Sequence, residues 1–187
     1  MALDHGHGLD LQNDTVVNVV GLLKGQVGNT RSYALHLDAF PLDDELTAEG
    51  VTGEVRLTRL QDRILADVNA RGRVELECVR CLRPYEQPFE TAFTEEYRQM
   101  VDVRTGANIP AELVTDKDAD DEVFEIDENH ELNLGEALRQ WIVLTLPMRA
   151  DCGSDCPGPD VTEVGEGEPV DERFAALSRL LDEDSAG

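Results

Sequence analysis

The chain has 187 residues, of which 40 are Asp or Glu and 16 are Lys or Arg, so its formal net charge is −24. This length suits one domain of ordinary size. A hydrophobic share of 41% is enough to form a core, which excludes a wholly disordered chain. The sequence has no apolar run of about 18 residues, so we expect no membrane-spanning segment.

The first residues, Met1–Asp14, are polar and carry no basic-then-apolar signal pattern. We expect them to be flexible and the chain to be cytoplasmic. Because so acidic a chain repels phosphate backbones, we expect no DNA binding, and a basic protein is an easier partner. The alternative is an acid-rich proteome in which most proteins have such a charge, since net charge governs association and not fold.

The charge is unevenly distributed. Arg56–Arg83 contains seven Arg against four acids, a local charge of +3, whereas Glu112–Glu131 contains ten acids and one Lys. The basic stretch predicts a face that binds RNA or a partner, and its candidate residues are Arg71, Arg73, Arg80 and Arg83. The alternative is an exposed strand face with ordinary cross-strand ion pairs.

Short segments rich in Val and Leu, separated by polar breaks, predict a meander of antiparallel strands. In Ser32–Ala39, Tyr33, Leu35 and Leu37 alternate with polar residues and share one face. The polar Arg71-Gly72 break predicts a turn, and Pro84 and Pro88 interrupt the pattern before the last of these strands. The predicted strands are Thr15–Leu23, Ser32–Ala39, Val51–Leu60, Arg63–Ala70, Arg73–Val79 and Phe89–Tyr97.

The second half of the chain predicts helices. An acidic, aperiodic and mobile connection is expected at about 100–121, followed by a short strand at Glu122–Ile126. Leu134–Leu144 follows a good N-cap, Asn133, and Pro147 ends the helix. The helix has an apolar stripe that must pack against another element, and we expect its single Trp to be a core residue. The residues of the stripe are Leu134, Ala137, Leu138, Trp141 and Ile142.

After a Gly- and Pro-rich loop, Asp171–Leu181 predicts a terminal helix with Phe174, Leu177, Ser178 and Leu181 on one face, and 183–187 a flexible tail. The predicted fold is α+β, in one domain spanning 15–182: an antiparallel, barrel-like sheet flanked by the two helices.

All four cysteines fall in two pairs, Cys78/Cys81 and Cys152/Cys156. Two such pairs can supply the four thiolates of a tetrahedral zinc site, and Gly153 would let the backbone wrap closely around the ion. The spacing of the second pair is one residue longer than in the usual zinc ribbon. Two alternatives stay open: a dithiol redox site, since Arg80 and Arg83 would lower the pKa of a neighbouring thiol, and four thiols without a metal.

We find none of the common catalytic motifs, neither a phosphate-binding Gly-rich loop nor a nucleophile elbow nor a His-Glu-x-x-His helix. His5 and His7 lie in the polar N-terminus, and His36 and His130 are isolated in the sequence. We therefore expect a protein that is not an enzyme.

The order of features resembles one family. Cys78-Val79-Arg80-Cys81 followed by an acidic stretch, the helix ending in Leu146-Pro147-Met148, and the tail beginning at Asp171 are similar to the YceD family. The resemblance covers about Val51 to Leu181. It implies a non-enzymatic role in the accumulation or processing of large-subunit (23S) ribosomal RNA and in ribosome assembly, and it supplies no catalytic residues.

Three hypotheses result. The first is a ribosome assembly factor, with or without structural zinc, that contacts RNA through the Arg56–Arg83 face or a basic ribosomal protein through its acidic surface. The second is a redox-responsive thiol protein that uses Cys78 and Cys81. The third is an acidic binding module for a basic protein unrelated to ribosomes.

Overall fold

The computed structural model describes residues 9–109 and 124–159. Its largest element is a six-stranded sheet, which curls into a half-barrel. In spatial order its strands are β1 (Leu9–Gln12), β3 (Thr30–Pro41), β4 (Thr47–Arg59), β5 (Arg63–Glu77), β6 (Pro84–Gln99) and β7 (Phe124–Ile126). A two-stranded sheet, β2 (Val16–Asn18) with β8 (Glu131–Asn133), and two helices, α1 (Val20–Leu23) and α2 (Gly135–Thr145), complete the fold.

The antiparallel meander is confirmed for β3 to β6, which pair in chain order. The alternation of β3 is confirmed too, because Tyr33, Leu35 and Leu37 are all buried. The prediction of a purely antiparallel sheet is wrong. β1 runs parallel to β3, and β7 runs parallel to β6, so the sheet is mixed.

β5 is one strand of 15 residues, which corrects the prediction of a turn at Arg71-Gly72. Both residues stay in register with β6, opposite Glu90 and Phe89. A Cβ on Gly72 would lie 2.9 Å from the Phe89 ring. The glycine therefore marks a close approach between strands and not the end of a strand.

β6 begins at Pro84 and contains Pro88, so the two prolines do not precede the strand as predicted. Apart from β5, the only strand paired with β6 among the described residues is β7, and only along Tyr97–Gln99. A proline is tolerated at such an edge because its missing N–H interrupts no ladder there.

The predicted strand Thr15–Leu23 divides into two elements. β2 ends at Asn18, whose Oδ1 accepts a hydrogen bond from the Val20 N–H at 3.2 Å, and α1 follows. Leu22 and Leu23 of α1 are buried, so the apolar residues enter the core from a helical turn. Upstream, where the sequence predicts a flexible terminus, the structure places β1.

The helix α2 confirms four members of the predicted stripe, which are all buried in the core: Leu134, Ala137, Leu138 and Ile142. Trp141, predicted as a core residue, is only partly buried and packs against the core from its edge. The Asn133 side chain accepts a hydrogen bond from the Gly135 N–H at 2.8 Å at the helix start. The predicted helix Asp171–Leu181 lies outside the described residues, as do 110–121 of the acidic connection. Of the rest of that connection, Val101 and Asn108 form a bridge. None of the helices among the described residues is long and apolar enough to cross a membrane.

Candidate metal centre

The first cysteine pair lies in the turn between β5 and β6. The Cys78 N–H donates to the Arg83 carbonyl at 2.9 Å, and the Leu82 N–H donates to the Cys78 carbonyl at 2.8 Å. Leu82 has a φ of 55°, a left-handed conformation that most side chains disfavour. The tight turn brings the sulfurs of Cys78 and Cys81 together just beyond the end of β5.

The second pair lies in the loop that follows α2. Gly153 has a φ of 102°, and its carbonyl accepts from the Cys156 N–H at 3.2 Å, which folds the loop back on itself. The Asp151 carboxylate accepts from the Gly153 N–H at 3.0 Å. This loop is joined to the β5–β6 turn by a hydrogen bond of 2.9 Å from the Val79 N–H to the Ala150 carbonyl.

All four sulfurs lie within 4.8 Å of one another, so the structure brings the two pairs together as predicted. Cys78 Sγ is 3.8 Å from Cys156 Sγ, and Cys81 Sγ is 3.7 Å from Cys152 Sγ. Four thiolates around a tetrahedral Zn²⁺, each about 2.3 Å from the ion, are separated by about 3.8 Å. The donor set and its spacing therefore fit a metal ion, and none of the four cysteines forms a disulfide.

The electrostatics of the cluster also suit a cation. Hydrogen bonds from backbone N–H groups, those of Cys81 and Cys152 foremost, lower the pKa of Cys78 to about 6. Its neighbour Cys152 has its pKa raised to about 12, chiefly by its hydrogen bond with the Cys156 sulfur. A thiolate therefore forms readily at Cys78 but is opposed at Cys152, where burial adds to the effect of that hydrogen bond. A divalent cation would remove that opposition, because it binds the thiolate form of each ligand.

The four candidate arginines do not form one cluster. Arg71 and Arg73 lie on β5, whereas Arg80 and Arg83 lie in the turn beyond its end. Arg71 is about 20 Å and Arg73 about 13 Å from that end along the strand. Arg73 bonds Glu49 and Glu86 at 3.2 Å each, as the cross-strand alternative predicts. Arg80 lies 3.6 Å from Asp151. Within the described ranges, Arg71 and Arg83 are exposed and form no ion pair.

Arg71 also lines an open groove of about 640 Å³ on the sheet, together with His36, Glu54, Asn69 and Glu90. Two carboxylates face one guanidinium there, so the groove offers no positive field for a phosphate.

Asp151 is the residue of this region that the sequence analysis missed. Its carboxylate bonds the Gly153 backbone and lies within 4.0 Å of both Arg80 and Arg149, so it joins the cysteine loop to two cations. The signal was present in the sequence, because an Asp two residues before a Gly is typical of an Asx turn.

Comparison with known proteins identifies a family. No curated protein and no solved structure matches the chain. A family model described as large ribosomal RNA subunit accumulation protein YceD matches residues 66–181, which include both cysteine pairs. Since this range covers more than half of the sequence, the chain belongs to the YceD family.

Proposed function

We propose that the protein is a non-enzymatic, cytoplasmic factor for the accumulation or processing of 23S ribosomal RNA and the assembly of the large ribosomal subunit. The observation that carries this proposal is the family match, which spans the meander from β5 onward, α2 and both cysteine pairs. The absence of a recognisable catalytic motif in the sequence agrees with it.

We further propose that the four cysteines hold a structural Zn²⁺. Four thiolates fill a tetrahedral shell and leave no position for water or substrate, as in structural rather than catalytic zinc sites. An ion there would tie the β5–β6 turn to the loop that follows α2. Because 70 residues separate these two cysteine pairs in the sequence, it would fix the end of the sheet relative to the helix.

The proposed contact with the ribosome precursor is made by the acidic surface, which would hold a basic ribosomal protein. A net charge of −24 favours such a partner. Two of the four candidate arginines already neutralise carboxylates of this chain, at Glu49, Glu86 and Asp151. The paired arginines have little charge left for an RNA phosphate.

A sucrose gradient of cells carrying the tagged protein, run beside a deletion strain, tests the function. We expect the protein to co-migrate with large-subunit precursors, and the deletion strain to have fewer mature large subunits. A protein that stays at the top of the gradient, over an unchanged ribosome profile in the deletion strain, would contradict the proposal.

Charge reversal separates the protein contact from an RNA contact. The variant Arg71→Glu with Arg83→Glu changes the two exposed candidates that form no ion pair with any described residue. Arg31→Glu with Arg104→Glu is a control with the same change in charge at exposed positions elsewhere. We expect both variants to co-migrate with precursors as the natural chain does. Loss of co-migration in the first variant alone would assign the contact to RNA.

A further inference from the structure

The described part of the chain exposes large apolar side chains mainly in one region. Among them only Val27 lies elsewhere; the others come from the β5–β6 turn and from the end of α2. Leu82 is 69% exposed, Leu144 74%, and Met148 wholly exposed. We call this set the knuckle patch: Val79, Leu82, Val143, Leu144 and Met148.

The two halves of the knuckle patch are held together at the metal centre. The Val79 N–H bonds the Ala150 carbonyl at 2.9 Å, two residues beyond Met148, and the cysteine sulfurs of both segments meet beside it. Exposed apolar side chains on two segments that are joined in this way mark a place where another element packs.

Three of the chain's 16 basic residues lie beside the patch. Arg80, Arg83 and Arg149 flank its members in sequence and are all exposed. Arg80 and Arg149 share one carboxylate, that of Asp151, at 3.6 and 4.0 Å. Glu77 and Asp155 lie in the same two segments, so three acids balance the three arginines and the rim has no net formal charge. An element that matches this patch is therefore recognised by its apolar face.

One segment of this chain has such a face. The described chain ends at Pro159, three residues beyond Cys156, and 28 residues follow it. Within them, Asp171–Leu181 has the pattern of a helix with Phe174, Leu177 and Leu181 on one face. The family match extends to residue 181, so this segment belongs to the family pattern.

We propose that Asp171–Leu181 docks on the knuckle patch of the same chain, with its apolar face on Leu82, Leu144 and Met148. The 11 intervening residues have a root-mean-square span of about 17–20 Å as a flexible linker. The segment is therefore held close to the patch at a high effective concentration. This inference does not depend on the ribosomal role.

Hydrogen exchange of the full-length chain, followed by mass spectrometry, tests the docking. We expect amides of 171–181 to exchange at least about tenfold more slowly than in an unstructured peptide. Leu177→Asp places a charge on the apolar face and should remove this protection. Ala176→Asp adds the same charge on the opposite helix face and should leave the protection in place.

Substitutions in the knuckle patch itself give a second test of the docking. Leu144→Asp should release the 171–181 amides, whereas Val27→Asp, which alters an exposed apolar side chain elsewhere, should not. Three results would overturn the proposal: fast exchange of 171–181 in the natural chain, protection that survives Leu144→Asp, or protection that disappears on dilution. The last result would assign the patch to a second copy of the chain.

Discussion

At the scale of single residues, Leu82 has a backbone conformation that its side chain disfavours. Its φ is 55° and its side chain is 69% exposed, so few contacts offset a left-handed conformation that costs about 1–2 kcal/mol. Glycine has no such cost but gains entropy in the unfolded chain. In a Leu177→Asp background, which removes the proposed docking of 171–181 on Leu82, we therefore expect Leu82→Gly to leave the free energy of unfolding unchanged or raise it by about 1 kcal/mol in urea titrations.

The control is Val79→Gly, an exposed apolar residue of the same turn that does not have a positive φ. It should lower the free energy of unfolding by about 0.5–1 kcal/mol. Equal losses in the two variants would mean that Leu82 is not strained.

The cysteines give a second prediction at this scale. We expect the purified chain to contain about one Zn²⁺, and Cys78→Ser to reduce that content below about one tenth, because three thiolates no longer complete the shell. Metal analysis measures the content. Ser154→Ala, in the loop between Cys152 and Cys156, should keep the ion. A chain without metal that forms a reversible Cys78–Cys81 disulfide would favour the redox hypothesis instead.

At the scale of elements, the pairing of β4 with β5 depends on Gly53. A Cβ at this position would lie 2.0 Å from the Asn69 carbonyl oxygen, which is backbone and cannot give way cheaply. We expect Gly53→Ala to lower the free energy of unfolding by about 3 kcal/mol, at the upper end of overpacking costs. In Gly21→Ala the nearest atoms belong to the flexible Arg31 side chain, so this variant should be tolerated. Urea titrations of both variants compare the two sites.

The contact of α2 with β6 is the other prediction at this scale. Trp141 stacks on Phe93 with ring centroids 5.5 Å apart, and its Nε1–H donates to the Glu95 carboxylate at 2.7 Å. We expect Trp141→Phe to keep most of the stacking on Phe93. Because the variant lacks the hydrogen bond to the charged Glu95 carboxylate, its free energy of unfolding should fall by about 1.5 kcal/mol. A double-mutant cycle with Glu95→Ala measures the coupling, and a coupling near zero would contradict this account.

The elements also show why the sequence predicts some features and not others. The stripe of α2 and the alternation of β3 depend on local periodicity, which a sequence displays directly. Gly72 looked like a turn because glycine is typical of turns, whereas its small size serves the close approach of Phe89 from another strand. The parallel pairing of β1 and β7 depends on partners distant in the chain, and no local pattern encodes it.

At the scale of the whole molecule, the net charge of −24 predicts a dependence of stability on salt. The folded chain concentrates its repelling carboxylates, and added ions screen them. We expect the urea midpoint to rise as NaCl is increased from low to moderate concentration. The free energy of unfolding should rise by about 1 kcal/mol over this range. A midpoint that falls with salt would mean that ion pairs such as Arg73 with Glu49 and Glu86 outweigh the repulsion.

The sequence predicts only part of the candidate site. Cysteine pairs at metal-binding spacing carry their own chemical signal, and the fold brings all four together. The arginine face was predicted from the number of arginines along the sequence. Such a count does not show that Glu49 and Glu86 neutralise Arg73 from neighbouring strands. Charge that is local in sequence need not remain unpaired in space.

The separation of the cysteine pairs along the chain has a consequence for synthesis. After Cys81 is added to the growing chain, another 70 residues must be made before Cys152 follows. At about 5–20 residues per second this delay lasts roughly 4–14 s. During that interval a nascent β5–β6 turn presents two thiols that no second pair can yet cover. The order of synthesis thus makes the first pair dependent on a reducing environment until the helix α2 and its loop arrive.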